Sequence, residues 1–144
     1  MQSNTNQNPA VKIRVLLADD NEEMLRDVEE LLASDFDIVG KATDGLSAVE
    51  AASRLTPDLI VTDLAMPGLS GIEASRKVLT ARPDTSIVLL TLHNDARLVE
   101  QAFSVGIRGY VHKLTAAEEL IPALRSVLRG QTFVSPACRP SRPN

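Results

Sequence analysis

The stretch LIVTDLAMPGLSGIEA, Leu59 to Ala74, decides the fold. It begins as a continuous β-rich run closing on Asp63, the pattern of a strand covered on both faces. Pro57 breaks the chain just before it. The loop Met66-Pro67-Gly68-Leu69 follows, and then Ser70-x-x-Glu73, a capping-box pattern that opens a helix. Arg82-Pro83-Asp84 ends that helix.

The same succession recurs on both sides. Upstream, Ile13 to Ala18 (IRVLLA) is a buried strand, followed by a helix with Leu25, Val28 and Leu32 at helical spacing. Asp37 to Ala42 is a weaker second strand, and Thr43-Asp44-Gly45 turns into a helix over about Leu46 to Arg54. Downstream, Ser86 to Leu90 is a fourth strand. Asn94 is placed to cap a fourth helix, which carries Leu98, Ala102 and Val105 and stops at Gly106. Gly109 to His112 is a short fifth strand. Thr115-x-x-Glu118 is a second capping box, opening a fifth helix that runs to Gly130 with Pro122 inside it, where a kink or a lost backbone bond is expected. Five strand–helix alternations imply an α/β fold, a parallel sheet with helices on both faces. Periodicity alone leaves the strand order open.

The chain of 144 residues predicts one domain, with 44% hydrophobic and 24% charged residues. Aromatics are only 3%, so the core must be aliphatic. The formal net charge of −4 argues against a nucleic-acid surface in this stretch, though not against one in a domain beyond it. Cys138 is the single cysteine and reads as an incidental tail residue. The start, MQSNTNQNPA, resembles a disordered lead-in rather than a signal peptide. No apolar run approaches the roughly 18 residues of a membrane span, so no membrane partner and a cytoplasmic location are expected. The expected organisation is a lead-in over 1–11, one domain over 12–130 and a linker or tail over 131–144.

In open parallel sheets ligands bind outside the carboxyl ends of the strands. There this sequence places Asp19 and Asp20 after the first strand, Asp63 after the third, Thr91 after the fourth and Lys113 after the fifth. Each has a plain alternative. Asp19 and Asp20 can cap a helix, Asp63 can serve a turn, Thr91 can be a capping or core hydroxyl, and Lys113 can be a solvated lysine. As a set they suit one chemistry. Three carboxylates repel, and a divalent cation relieves the conflict. Hard oxygen donors without histidine or cysteine favour Mg²⁺. A lysine ammonium can act on phosphate as a point charge, and an aspartate can attack phosphorus to form an acyl phosphate.

The blocks LLADDNEEML (16–25), VTDLAMPGLSGIEA (61–74), VLLTLHND (88–95) and GYVHK (109–113) resemble the four signature blocks of response-regulator receiver domains. The resemblance implies a flavodoxin-like (βα)5 three-layer sandwich with sheet order 2-1-3-4-5. It implies that Asp63 accepts a phosphoryl group from a sensor histidine kinase. Asp20, Asp63 and the backbone carbonyl of Ala65 would ligate Mg²⁺, with Asp19 assisting through water. Thr91 and Lys113 would bind phosphoryl oxygens, Tyr110 matches the switch aromatic, and Pro67 and Gly71 match the loop-shaping positions. The stretch from His93 to Pro136 is similar to the NarL/FixJ subgroup, whose members continue into a helix-turn-helix domain. The resemblance thus implies a transcriptional output, with DNA reached only through a C-terminal domain absent from this sequence, or else a stand-alone receiver. Pairing with a second copy on activation is a further implication. The chemistry implied is self-phosphorylation and self-dephosphorylation, not enzymatic turnover.

Three positions depart from the common pattern. Leu114 stands where many receivers carry proline after the lysine, which puts the usual cis peptide in doubt. Leu92 is bulky where a small residue is common, and Ala65 has no side chain to hold a hydrolytic water. Two other classes stay open here. A haloacid-dehalogenase-like phosphatase would need a second aspartate at the place of Ala65, and a phosphorylation-independent dimerisation module would not need the full residue set.

Overall fold

A computed structural model describes residues 11–139. The expected lead-in lies almost wholly outside them. The strands are β1 (Arg14–Ala18), β2 (Asp37–Ala42), β3 (Leu59–Thr62), β4 (Ser86–Thr91), β5 (Gly109–His112) and β6 (Phe133–Val134). The helices are α1 (Glu22–Leu32), α2 (Gly45–Leu55), α3 (Gly71–Ala81), α4 (Ala96–Ser104) and α5 (Ala116–Leu128). The strands form one parallel sheet in the order β2-β1-β3-β4-β5-β6. The expected order of five strands therefore holds, and a sixth is added at the edge, inside the stretch expected to be a linker. Two residues are too short a run to show a period of two in the sequence.

Alternation along the strands sorts side chains into two cores. Val15 and Leu17 of β1, with Val61 of β3 and Val88 of β4, meet Leu25, Val28 and Leu32 of α1 and Leu120 and Leu124 of α5. Leu16, Ile60, Ile87, Leu89 and Tyr110 point the other way, against Ala51 of α2, Ile72 and Val78 of α3, and Val99 and Ala102 of α4. Leu16, Leu17 and Ile87 are almost wholly buried, each contributing about 2 kcal/mol by area removed from water. The three layers are thus α1 and α5, the sheet, and α2 to α4.

Most caps follow their chemistry. Asn21, Asp44 and Ser70 accept from the backbone N–H groups of Met24, Ser47 and Glu73. Two expectations are corrected. Helix α4 is capped by Asp95, whose carboxylate accepts from Arg97 N–H at 2.9 Å, not by Asn94. Thr115 makes no capping bond. A 3-10 turn over Lys113–Thr115 feeds straight into α5, and the Thr115 hydroxyl instead contacts Glu119 and the His112 carbonyl.

Gly106, with φ of +108°, terminates the α4 segment as expected. Val99 and Ala102 are the buried residues of α4, whereas Leu98 is half-buried. Pro122 is exposed and does not end α5, although its missing N–H removes one helical bond. No peptide among the described residues is cis, the Lys113–Leu114 bond included. Cys138 is not an incidental tail residue: it is fully buried in the α4-side core.

Candidate functional site

The carboxyl ends of β1 and β3 lie side by side in register, Ala18 opposite Thr62. The residues that follow are therefore brought together. Asp63 N–H donates to the Ala18 carbonyl at 2.8 Å, and Asp19 N–H donates to the Ala42 carbonyl at 3.0 Å. Carboxylate oxygens of Asp19, Asp20 and Asp63 lie within 4.8 Å of one another. Asp19 and Asp63 are buried and Asp20 is exposed.

One oxygen of each buried carboxylate is held by backbone. Asp19 Oδ1 accepts from Asn21 N–H at 2.9 Å, and Asp63 Oδ1 accepts from Leu64 N–H at 2.8 Å. The other oxygen of each faces Lys113, whose Nζ lies 2.8 Å from Asp19 Oδ2 and 3.3 Å from Asp63 Oδ2. Four of the five strand-end residues singled out in the sequence thus meet in one crevice.

The fifth, Thr91, ends β4 and is fully buried. Its hydroxyl accepts from His93 N–H at 3.2 Å. Tyr110 is also fully buried, and its hydroxyl donates to the His93 carbonyl at 2.9 Å. The backbone of His93 therefore bridges Thr91 and Tyr110. Burial pushes the Tyr110 phenol up to about 12, so it stays a proton donor. The side chains of His93 and Leu92 are exposed.

The loop after Asp63 is shaped by close backbone approach. Gly71 N–H donates to the Leu64 carbonyl at 2.7 Å, and Gly45 N–H donates to the Pro67 carbonyl at 3.2 Å. A Cβ on Gly71 would lie 2.0 Å from the Asp63 carbonyl oxygen. Ala65 sits exposed on this loop.

The charges do not balance. One ammonium faces three carboxylates, which leaves two negative charges uncompensated. Burial raises the pKa of Asp63 above its ordinary value, and Asp19 adds to this, while Lys113 only partly opposes it. Burial also works against the Lys113 ammonium, but Asp19 and Asp63 outweigh it and its pKa is raised. An all-oxygen donor set with this excess of negative charge fits a hard divalent cation.

A stability prediction follows from the raised Asp63 pKa. Between the ordinary carboxyl range and that raised value, the folded chain keeps a proton that the unfolded chain has lost, so stability falls as pH rises through the window. Above it, ionised Asp63 weighs against the fold. In chelator at pH 7, Asp63→Asn should therefore melt above wild type. The gap should close as pH is lowered below the window. A variant that melts lower at pH 7 contradicts this electrostatic account.

Sequence reasoning missed a second polar cluster, formed by His112, Thr115, Glu119 and Ser135. It joins residues 23 positions apart, and no local pattern signals it.

The response regulator receiver domain family matches residues 15–125. The response regulator GacA of Pseudomonas aeruginosa is 33% identical over 126 residues, 86% of this chain and 59% of GacA. The chain thus spans under two thirds of the length of the curated relatives it matches. Among solved structures, a LuxR-family two-component response regulator from Aurantimonas superposes with a TM-score of 0.85 at 30% identity, covering 89% of this chain and 93% of that one. The isolated receiver domain of RcsB from Salmonella enterica serovar Typhimurium, solved with the phosphomimetic BeF3−, gives 0.81 at 26% identity, covering 89% and 96%.

Proposed function

Because the chain belongs to the response regulator receiver domain family, we propose that it takes a phosphoryl group onto Asp63 from a phosphohistidine of a sensor kinase. The observation that carries this is Asp63 Oδ2. Its sister oxygen is tied to Leu64 N–H at 2.8 Å, while Oδ2 itself faces the crevice beside Lys113 at 3.3 Å. In the transfer, a bond forms between Oδ2 and phosphorus, and the phosphorus–nitrogen bond to the kinase imidazole breaks. The imidazole leaves with the bonding electron pair.

Asp20, Asp63 and the Ala65 carbonyl would hold Mg²⁺, with Asp19 assisting through water. When bound, the ion shields the incoming phosphoryl group from the carboxylates and offsets charge on the transferring oxygens. Lys113 stays ionised, and its ammonium exchanges part of its contact with Asp63 for a phosphoryl oxygen. Thr91 supplies a hydroxyl to another. Its oxygen already accepts from His93 N–H, which leaves the O–H free to donate; reaching the phosphoryl oxygen moves Thr91 against His93, whose carbonyl holds Tyr110. A shift at Thr91 is therefore felt at a buried aromatic in the α4-side core.

Phosphorylation so biases a two-state equilibrium between pairing surfaces. The consequence we propose is altered pairing with a second copy or an effector domain. GacA and its kin are longer than this chain, and a transcriptional output would reach DNA through a domain outside it. Among the described residues no helix is long and apolar enough to cross a membrane, and the proposed place of action is the cytoplasm.

The test is a phosphate-retention gel after incubation with acetyl phosphate and Mg²⁺. The chain should shift, and chelation of the metal should abolish the shift. A chain that never shifts, with acetyl phosphate or with a phosphorylated kinase, contradicts the reading.

A further inference from the structure

The segment after α5 is tied to the turn that carries Lys113. Phe133 N–H donates to the Arg108 carbonyl at 3.0 Å and Ser135 N–H to the Tyr110 carbonyl at 2.8 Å, so the segment lies along the outer edge of β5. Val134 packs on the α4-side core that holds Tyr110 and the fully buried Cys138, and Phe133 packs on the α5 side. Residues 133–138 thus form a strap.

Ser135 is fully buried. Its hydroxyl accepts from His112 N–H at 2.9 Å and donates to the Glu119 carboxylate. The same carboxylate oxygen accepts from the Thr115 hydroxyl at 2.9 Å. Leu114 N–H donates to His112 Nδ1 at 3.1 Å. His112, Leu114 and Thr115 are all held, and Lys113 among them is left to span Asp19 and Asp63. Removing the Ser135 hydroxyl strands the buried His112 N–H, which is costly unless the turn moves to find another partner. The turn cannot move without carrying Lys113.

We propose that Ser135 and Glu119 are positioning residues for Lys113, and that docking of the strap over 133–138 is thermodynamically linked to occupancy of the phosphoryl site. This rests on the reading of Asp63 and Lys113 given above. A strap that helps place the ammonium tightens phosphoryl binding, and by reciprocity a bound phosphoryl group tightens the strap. Loss of the hydroxyl and loss of the carboxylate break the same chain of bonds, so their effects do not add.

The experiment uses the full chain with Mg²⁺ and beryllofluoride, a tetrahedral phosphoryl mimic. Affinity is read by calorimetric titration and strap docking by hydrogen exchange of residues 133–138. Beryllofluoride should slow that exchange about fivefold, and Ser135→Ala and Glu119→Ala should each weaken beryllofluoride about fivefold, at the low end of site-to-site coupling. The double variant should be no weaker than either single one. Glu119→Gln keeps an acceptor oxygen and should recover most of the loss seen in Glu119→Ala. Wild-type exchange needs no variant, so it decides even where Ser135→Ala fails to fold. If wild type binds beryllofluoride with no change in strap exchange, the linkage is refuted while the Asp63 reading stands. If wild type takes up no beryllofluoride, both fall together.

Discussion

Asp63→Asn should abolish phosphorylation: after acetyl phosphate and Mg²⁺ the variant should show no retained band on a phosphate-retention gel under conditions that shift wild type. The carboxamide removes the anionic oxygen that attacks phosphorus, and an amide is a far poorer nucleophile. The neighbouring carboxylates do not replace it. Lys113 holds the second Asp19 oxygen at 2.8 Å, closer than the 3.3 Å to Asp63, and exposed Asp20 is the carboxylate proposed to hold the metal. The fold should survive, because the change relieves crowding of negative charge. Loss of label together with a raised melting temperature separates removal of the nucleophile from collapse of the site. A retained band of wild-type intensity in the variant would place the acceptor elsewhere.

The second large effect lies away from the chemistry. Gly71→Ala should destabilise the domain by about 3 kcal/mol or more, at the upper end of overpacking costs. The added Cβ would meet the Asp63 carbonyl oxygen at 2.0 Å, Asp63 carbonyl carbon at 3.0 Å and Leu64 Cα at 3.1 Å. All three belong to backbone, which cannot swing aside as a side chain does. The movement is transmitted to the acceptor itself, so labelling by acetyl phosphate should slow by about 100-fold, the scale of a misplacement near 1 Å. Gly40→Ala is the comparison. There the close atoms are side-chain tips, Leu55 Cδ1 at 2.6 Å and Leu16 Cδ1 at 3.3 Å. They can rotate, so the cost should stay below about 1.5 kcal/mol and labelling should be preserved. Denaturant titration and a labelling time course check both. Equal stability of the two variants would show that the Gly71 contact is not the constraint on the acceptor loop.

Legibility in the sequence followed the range of the interactions. Runs such as Leu16–Leu17 and Ile60–Val61 expose the buried strands directly, because both faces are covered and the apolar signal is continuous. The carboxylates and Lys113 were legible as a set because a parallel sheet brings every strand's carboxyl end to one edge. Their pairing distances were not, since these depend on how β1, β3 and β5 splay. The strand order came from family resemblance, not from periodicity. Helix caps were right where one side chain had no rival, as at Ser70. They failed at Asn94, where Asp95 stood one residue nearer, and at Thr115, where Glu119 claimed the hydroxyl. The sixth strand and the burial of Cys138 depend on contacts with β5 more than 20 residues earlier in the chain. Nothing local marks them.

The acceptor assignment can be read directly by reducing the acetyl-phosphate-treated chain with borohydride and sequencing its peptides by mass spectrometry. Reduction turns an aspartyl phosphate into homoserine, which marks the phosphorylated position permanently. Homoserine at position 63, absent when Mg²⁺ is chelated, is the predicted outcome. Homoserine at position 19 or 20 instead, or unmodified Asp63 in a chain that demonstrably carries phosphate, would contradict it.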